Sequence, residues 1–226
     1  MKWVKSVKIP DLSNERESLV IIYATDYQSK LLALKEILSP QELAYSERLR
    51  NENQKRTWIS CRATLRLILG AYLNKKPFEV ELSKGRFGKL YLPESNLFFN
   101  VSHSNDTFLL GFCFGGRIGI DIEKLNGSED LPSMVKYAFS EIEAQYCQYG
   151  ENPERFAEIW TSKEALLKAA GVGMVDCLSS ITVSENVTND ISRYKLKQKS
   201  FLCPNRETGS IVYRVNKPIK SIWLTY

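Results

Sequence analysis

The sequence lacks the features that mark membrane, secreted and zinc-binding proteins. Its 226 residues contain no apolar run near the roughly 18–20 residues that a membrane-spanning helix needs. The N-terminus has no apolar segment followed by a small-residue cleavage site, so we expect no signal peptide. The five cysteines are odd in number, widely spaced and without a Cys-x-x-Cys pair, which argues against a disulfide framework and a zinc site. These absences predict a cytoplasmic protein with no membrane partner.

Acidic residues are scarce near the C-terminus. Residues 191–226 contain eight Lys and Arg residues and a single acid, Glu207, whereas the whole chain has a net charge of only +5. Two explanations stay open: lysines along strand edges that prevent edge-to-edge pairing, or a surface for an acidic partner. No nucleic-acid motif accompanies the charge, and the aromatic residues there follow a strand spacing, so we expect no nucleic-acid partner.

The first half of the chain contains both helical and strand-like patterns. Its most helical region is 39–73, which begins with Ser39 as N-cap, a proline at the first helical position and Glu42 in a capping box. Turn residues at 105–106 and 115–116 join three consecutive strands as in an antiparallel meander. The other predicted strands of this half include 18–25 and 78–82, and the meander begins with 97–104 and 108–115.

The second half repeats this mixture. Ser140 and Glu143 fit a second capping box, and the pattern predicts a helix from its cap at Asn152 to Gly171. Short strands separated by Asn and Gly turns follow as far as the C-terminus. Because each half mixes helices with antiparallel strands and shows no regular β-α-β alternation, we predict an α+β fold.

The stretch RIGIDIE at 117–123 predicts a strand with two unlike faces. Three isoleucines alternate with Gly119, Asp121 and Glu123, so a period of two places the acids on the side opposite the isoleucines. The simpler explanation is a solvated face, and the other is that the acids hold something positive. Two carboxylates at this spacing can reach one ion, and two carboxylates with phosphate oxygens and water form a usual magnesium site. The strand is therefore a candidate metal site.

The predicted helix that ends at Gly171 supplies further charged side chains. Lys163 lies within its apolar stripe, while Glu164 and Lys168 lie four residues apart at the edge of that stripe. A lysine in such a stripe usually extends to water, and a Glu–Lys pair at this spacing is usually exposed. Combined with the acidic strand, Glu164 would supply a third carboxylate and both lysines would meet phosphates. The only histidine, His103, is either a turn residue or a donor to a phosphate oxygen.

Three motifs together resemble those of the 4′-phosphopantetheinyl transferases. IGIDIE at 118–123 is followed about 40 residues later by WTSKEALLK at 160–168, and this pair resembles the paired motif of the family. FNVSHS at 99–104 and the chain length resemble its larger, surfactin-type class. The likeness covers roughly residues 55–175 and includes RTWISCRATLRLIL at 56–69, which resembles the Arg-rich helix of the family.

The resemblance implies a pseudo-dimer of two similar α+β halves, 1–116 and 117–226, with coenzyme A in the cleft between them. The implied reaction moves the phosphopantetheine arm of coenzyme A to a serine of an apo acyl, peptidyl or aryl carrier protein and releases adenosine 3′,5′-bisphosphate. The implied metal is magnesium, with manganese as an alternative since both favour oxygen ligands. We expect a monomer, because two halves in one chain already form the cleft.

The resemblance also assigns roles to individual residues. Asp121, Glu123 and Glu164 would hold the metal, and Glu164 would also help to deprotonate the serine. The implied coenzyme A ligands are His103, Lys163 and Lys168 at the phosphates, Ser102 nearby, and Lys89 and Arg62 at the 3′-phosphate end. The residues with implied catalytic roles are Glu164, His103 and Lys168. One departure is the sequence Gly-Lys-Leu at 88–90, where the family usually has Gly-Lys-Pro, so the lysine is retained in a less constrained loop.

Two other functions use the same residues. A magnesium-dependent hydrolase of nucleotide diphosphates would employ the three acids but attack with water instead of a protein hydroxyl. A non-catalytic module would bind an acidic carrier domain through the basic residues at 191–226. Such a module would have no need of the three acids, all of which are present.

Overall fold

The structure of the protein, a computed structural model, describes residues 2–6, 18–25, 31–125, 127, 129–173, 178–183, 196–214 and 216–224. Within these ranges the strands are β1 (Trp3–Ser6), β2 (Leu19–Thr25), β3 (Ser83–Lys84), β4 (Leu90–Tyr91), β5 (Leu97–Ser104), β6 (Thr107–Phe114), β7 (Ile118–Glu123), β8 (Lys197–Leu202), β9 (Thr208–Tyr213) and β10 (Ile219–Leu224). The helices are α1 (Leu31–Lys35), α2 (Pro40–Ser46), α3 (Glu52–Leu73), α4 (Leu131–Ala138), α5 (Glu141–Tyr146) and α6 (Pro153–Ala170). None of these helices combines the length and the apolar character that crossing a bilayer requires.

The first sheet has five strands in the order β1-β10-β2-β6-β5. Strands β1, β10 and β2 run parallel to one another, whereas β2, β6 and β5 pair antiparallel. Helix α3 packs against one face of this sheet. Ile22 of β2, Phe112 of β6 and Ile68 of α3 are among the buried side chains that form the core between them. Most of the first half of the chain is therefore organised around one helix and one sheet.

The second sheet has three antiparallel strands in the order β7-β9-β8, and α6 packs on its outer face. Gly119 of β7 allows the helix to approach closely, because a Cβ atom at this position would lie 1.9 Å from the carbonyl oxygen of Ala165. The opposite face of β7 packs against the first sheet, where Ile118 and Ile120 share a core with Leu109. The layers thus follow the order α3, five-stranded sheet, three-stranded sheet, α6.

The α+β mixture with antiparallel pairing that the sequence predicted is confirmed, and so are its helix caps. Ser39 and Glu42 form both hydrogen bonds of a capping box at the start of α2. Ser140 forms the second box at the start of α5. Helix α6 begins after Asn152 and ends at Gly171, which adopts the left-handed conformation with φ of 76°. Local capping chemistry therefore specified where these helices begin and end.

Two of the predicted strand arrangements are wrong. The stretch 78–82 is not a strand, because a 3₁₀ turn forms at Pro77–Glu79 and Arg66 binds the backbone there. The Arg66 guanidinium donates to the carbonyl oxygens of Pro77 and Val80 at 2.8 and 3.0 Å, so these oxygens already have a partner. The turn at 115–116 closes no hairpin, since β7 pairs with β9 and not with β6. It carries the chain from the first sheet to the second.

Other boundaries also differ from the expectation. The region 39–73 forms two helices and not one, because the side chain of Asn51 caps a new helix by accepting from two backbone N–H groups. Strand β10 belongs to the first sheet although it lies within the predicted half 117–226, so the chain returns to the first sheet at its end. Of the short strands predicted after α6, the stretch 181–185 is wrong over residues 181–183, which form no strand, whereas the stretch 194–198 is confirmed at 197–198, where β8 begins; residues 184–185 and 194–195 lie outside the described residues.

Candidate active site

Three of the predicted site residues meet between β7 and α6. The ammonium group of Lys168 lies 2.6 Å from Oδ1 of Asp121 and 3.0 Å from the hydroxyl of Ser102. The Ser102 hydroxyl donates to the same carboxylate oxygen at 2.8 Å. Asp121 is only 3% exposed. The fold thus assembles a buried carboxylate, a cation and a hydroxyl from β7, α6 and β5.

The acidic face of β7 is not solvated, so the simpler explanation of its sequence pattern is wrong. Helix α6 lies directly over Gly119, and Asp121 is buried. Only Glu123, at the end of the strand, is partly exposed. An ionised carboxylate in such a place needs a positive partner, because burial removes the water that would otherwise stabilise it. In this structure Lys168 is that partner.

Glu123 and Glu164 add negative charge beside Asp121. Burial, followed by the charge of Asp121, raises the pKa of Glu123 to about 7. Burial and Asp121 raise the pKa of Glu164 as well, and the opposing influence of Lys168 is smaller. Asp121 therefore disfavours the ionisation of both Glu123 and Glu164, an effect that a bound cation would oppose.

These carboxylates fit a divalent cation by the type of donor they offer. Oδ2 of Asp121 is buried and lacks a hydrogen-bond partner among the described residues, which is unusual for a buried acceptor. Carboxylate oxygens are the ligands that magnesium prefers in proteins. In the described part of the chain, no group of three or more His, Cys, Asp or Glu side chains is already arranged around an ion position. The donor atoms are thus of a type that suits magnesium, and Lys168 occupies one oxygen of Asp121.

Lys163 is not brought to this cluster, and its position argues against the predicted phosphate contact. Its ammonium group is completely buried and lies 2.8 Å from the equally buried carboxylate of Glu143. It also donates to the carbonyl oxygens of Leu178 and Ile181. Glu143 in turn accepts from the N–H of Val183 at 2.9 Å. Lys163 thus fastens α6 to α5 and to the segment 178–183.

Lys89 lies where the short hairpin of β3 and β4 meets the second sheet. Its ammonium group donates to the carbonyl oxygens of Ile118 at 2.8 Å and of Lys168. Burial, with smaller contributions from Arg117 and Lys168, lowers the pKa of Lys89 to about 8. An ammonium group has three N–H bonds and only two are used here, so one donor remains for a ligand.

A cleft of about 1070 Å³ opens on the first half of the chain, and all of its lining residues lie within 39–103. Arg62, Trp58, Lys89 and His103 are among them. Nη1 of Arg62 is buried without a hydrogen-bond partner among the described residues, whereas its Nε lies 3.5 Å from Oε1 of Glu42. Guanidinium and ammonium groups beside an aromatic ring suit a phosphorylated nucleotide. None of the described basic residues of 191–226 lines this cleft.

His103 connects the cleft with the acidic cluster. It lies on β5 one residue after Ser102, and its side chain faces the cleft, where solvent reaches it. Partial burial of the imidazole, followed by the positive charge of Lys168, lowers the pKa of His103. The negative charge of Asp121 acts in the opposite direction. The predicted residues thus form one region, with Lys163 as the exception. The pairing of Glu42 with Arg62 and Arg66 had no sequence signal beyond the capping role of that glutamate.

The part of the chain that contains the acidic strand is similar to a known protein family. Residues 117–218, which include β7 and α6, match the family model described as the 4′-phosphopantetheinyl transferase superfamily. Over these residues the chain is similar to that superfamily. The acidic strand and the covering helix both lie inside the matched region.

Individual relatives point to the same superfamily. The 4′-phosphopantetheinyl transferase HetI of Nostoc sp. is 36% identical over 154 residues, which are 65% of this chain and 65% of HetI. AcpT of Salmonella typhi, with the same enzyme name, is 35% identical over 47% of this chain and 56% of AcpT. The 4′-phosphopantetheinyl transferase gsp of Aneurinibacillus migulanus is 28% identical over 63% of each chain. The chain spans less than two thirds of the length of each of these relatives.

Proposed function

We propose that this protein transfers the 4′-phosphopantetheine arm of coenzyme A to a serine of an apo carrier protein. The observation that carries the proposal is the contact of Lys168 with Asp121 and Ser102, beside two further carboxylates and a cationic cleft. In the reaction the serine oxygen bonds to the phosphorus on the pantetheine side. The bond from that phosphorus to the adenosine phosphate breaks, and adenosine 3′,5′-bisphosphate leaves. The names of HetI, AcpT and gsp support this choice.

Asp121, Glu123 and Glu164 would hold a magnesium ion, which supplies charge neutralisation on the diphosphate when it is bound. Glu164, which α6 brings beside Asp121, takes the proton of the attacking serine. Lys168 neutralises the charge that develops on the phosphate oxygens. His103 donates to a phosphate oxygen from the cleft side of β5.

Two residues of the cleft orient the nucleotide. Arg62 presents a buried Nη1 without a partner among the described residues, and Lys89 retains one free N–H. Both are suited to the 3′-phosphate of coenzyme A, because a charged donor in a partly desolvated place binds phosphate strongly. Lys163 has no part in this proposal, since it is completely buried against Glu143.

We extend the proposal to the architecture and the setting. The halves 1–116 and 117–226 are related units of a surfactin-type pseudo-dimer, and the arrangement of one long helix outside each sheet supports this relationship. The protein acts as a cytoplasmic monomer on acyl, peptidyl or aryl carrier domains. Manganese is able to replace magnesium, since both prefer oxygen ligands.

The decisive experiment is the intact mass of an apo carrier protein after incubation with this protein, coenzyme A and magnesium. A gain of one phosphopantetheine that disappears with EDTA or in Asp121→Ala supports the proposal. Glu151→Ala, which removes an exposed acid, is the matched control and leaves the gain unchanged. Consumption of coenzyme A without carrier modification would establish a hydrolase instead. No change on several unrelated carriers, with coenzyme A still bound, would establish a binding module.

A further inference from the structure

Strands β5 and β7 lie side by side where the two sheets meet. β5 is the last strand of the first sheet and β7 the first strand of the second, and β7 pairs through its backbone with β9. In the described residues no backbone ladder joins β5 to β7, because the two strands belong to different sheets. The outward backbone groups of β7 must therefore find other partners.

Alternate side chains of β5 supply these partners. Oδ1 of Asn100 accepts from the backbone N–H of Ile120 at 2.8 Å, and Oγ of Ser104 accepts from the N–H of Lys124 at 3.2 Å. Between them, Ser102 bonds to the side chain of Asp121. A period of two along β5 places all three side chains toward β7. We call Asn100, Ser102 and Ser104 the side-chain seam.

The side-chain seam brackets the two carboxylates of β7. The bond from Asn100 holds the strand one residue before Asp121, and the bond from Ser104 holds it one residue after Glu123. Asn100 is 7% exposed, so loss of its acceptor would leave the N–H of Ile120 buried without a partner. The side-chain seam therefore fixes the backbone on both sides of the predicted metal ligands.

Phe99, Val101 and His103 of β5 line the cleft, and Asn100 also borders it, although its Oδ1 accepts from the N–H of Ile120 in β7. One strand thus borders both the nucleotide cleft and the acidic strand.

We propose that Asn100, assisted by Ser104, is a positioning residue that holds Asp121 and Glu123 so that both reach one divalent cation. The inference rests on the proposed function, because it concerns the metal site of that reaction. Asn100 acts through the N–H of Ile120, and no contact with Asp121 or Glu123 is required of it. Loss of such a supporting hydrogen bond commonly lowers metal affinity by about 10- to 100-fold.

The test measures Mn²⁺ affinity of the full chain by electron paramagnetic resonance, without coenzyme A. We expect Asn100→Ala to weaken Mn²⁺ binding by about tenfold or more, as is typical when a residue that supports metal ligands without touching the metal is replaced. Asn100→Asp keeps an acceptor in the same place and adds a negative charge that favours a cation, so it is expected not to show the loss of Mn²⁺ affinity seen in Asn100→Ala. Because Asn100 also borders the cleft, binding of adenosine 3′,5′-bisphosphate without metal is measured in both variants, and a loss of Mn²⁺ affinity larger than any loss of nucleotide affinity identifies the effect on the metal site.

Ile68→Val is the control for a general loss of stability. It changes the core of the first sheet and leaves the side-chain seam intact. This variant is expected to retain wild-type Mn²⁺ affinity. If Asn100→Ala does not fold, Ser104→Ala replaces it, with a smaller loss expected since its bond is longer. Wild-type Mn²⁺ affinity in the seam variants, or equal losses in Asn100→Ala and Asn100→Asp, would overturn the positioning role. Absence of Mn²⁺ binding in the wild-type protein would overturn the metal site itself, and this inference with it.

Discussion

The ammonium group of Lys168 lies 2.6 Å from Oδ1 of Asp121, the carboxylate that we propose as a metal ligand. A lysine this close compensates the buried charge of Asp121 when no metal is bound. It also competes with a metal for the same oxygen. Lys168 therefore has two opposed effects: it stabilises the metal-free site, and in the proposed reaction it supplies the positive charge that the phosphates need during transfer.

Replacement of Lys168 separates these two effects. We expect Lys168→Ala to lower the rate of phosphopantetheine transfer by about 10²- to 10³-fold, as for other lost transition-state donors. The same variant should bind Mn²⁺ about tenfold more tightly without coenzyme A, which corresponds to roughly 1.4 kcal/mol of removed competition. Transfer is followed by carrier mass and Mn²⁺ binding by electron paramagnetic resonance.

The matched control is Lys136→Ala, since Lys136 occupies the last turn of α4 as Lys168 occupies the last turn of α6. Lys136 is exposed, so both measured quantities should stay at the wild-type level. Weaker Mn²⁺ binding by Lys168→Ala would show that the lysine supports the metal site and does not compete with it.

The cluster around Asp121 could be anticipated from sequence because its members follow local periodicity. Alternation on β7 and the helical spacing of Glu164 and Lys168 specify which side chains share a face. The sequence could not show what covers that face. The burial of Asp121 depends on how closely α6 approaches, and this approach depends on Gly119, whose role is visible only when the helix is in place.

The contact at Gly119 predicts a large effect of a small substitution. In Gly119→Ala the new methyl group would lie 1.9 Å from the carbonyl oxygen of Ala165 and 2.3 Å from the backbone nitrogen of Ala169. Both neighbours are helix backbone, so α6 must shift away from β7. We expect a loss of about 1–3 kcal/mol in the free energy of unfolding, typical of overpacking, or more.

Urea denaturation followed by circular dichroism measures this loss. The control is Gly85→Ala, where the added atom would make only an ordinary contact, 3.5 Å from the carbonyl oxygen of Lys89. This control should remain close to the wild-type stability. An equal stability of Gly119→Ala and Gly85→Ala would contradict the close approach of α6.

Because Lys163 is paired with Glu143 in the interior, we expect its replacement to lower the free energy of unfolding and to leave the affinity for coenzyme A unchanged. Lys163→Met leaves a buried carboxylate without its cation, which typically costs about 3–5 kcal/mol. Adding Glu143→Gln to Lys163→Met removes the stranded charge and keeps an acceptor oxygen for one of the two N–H groups, those of Ser140 and Val183, that bond to different oxygens of Glu143. We therefore expect the double variant to be more stable than Lys163→Met alone. Urea denaturation of the wild type, both single variants and the double variant completes the cycle.

If Lys163 instead contacted a phosphate of coenzyme A, Lys163→Met would bind coenzyme A more weakly. Calorimetry with coenzyme A at a temperature where Lys163→Met is folded distinguishes the two roles. The expected affinity is that of the wild type. A large loss of affinity with unchanged stability would restore the role implied by the family resemblance.

The pairing of Lys163 shows why part of the site escaped prediction. Its place in the apolar stripe of α6 was clear, but a stripe does not identify the partner of a buried charge. That partner, Glu143, is 20 residues away in the sequence and already had a sufficient explanation as a capping residue. In the same way, no local sequence pattern indicates that Arg66 binds the backbone at 77–80. The alternation at 78–82 therefore predicted a strand that does not form.

Lys89 predicts how nucleotide affinity depends on pH. Its pKa in the free protein is lowered to about 8, and a bound phosphate raises the pKa because it favours the charged ammonium. Below about pH 8 the lysine is charged in both states, so affinity is highest there. As pH rises above 8 the free protein loses this proton, and binding must restore it, so affinity for adenosine 3′,5′-bisphosphate falls. Phosphate ionisation does not mask the effect, since the second phosphate pKa is about 6.

Calorimetry between pH 7 and 9.5 should show this fall in affinity in the wild type. In Lys89→Met the affinity should be lower and nearly independent of pH. Lys197→Met, which changes an exposed lysine outside the cleft, should retain the wild-type profile. A profile in Lys89→Met as steep as that of the wild type would show that another group carries the pH dependence.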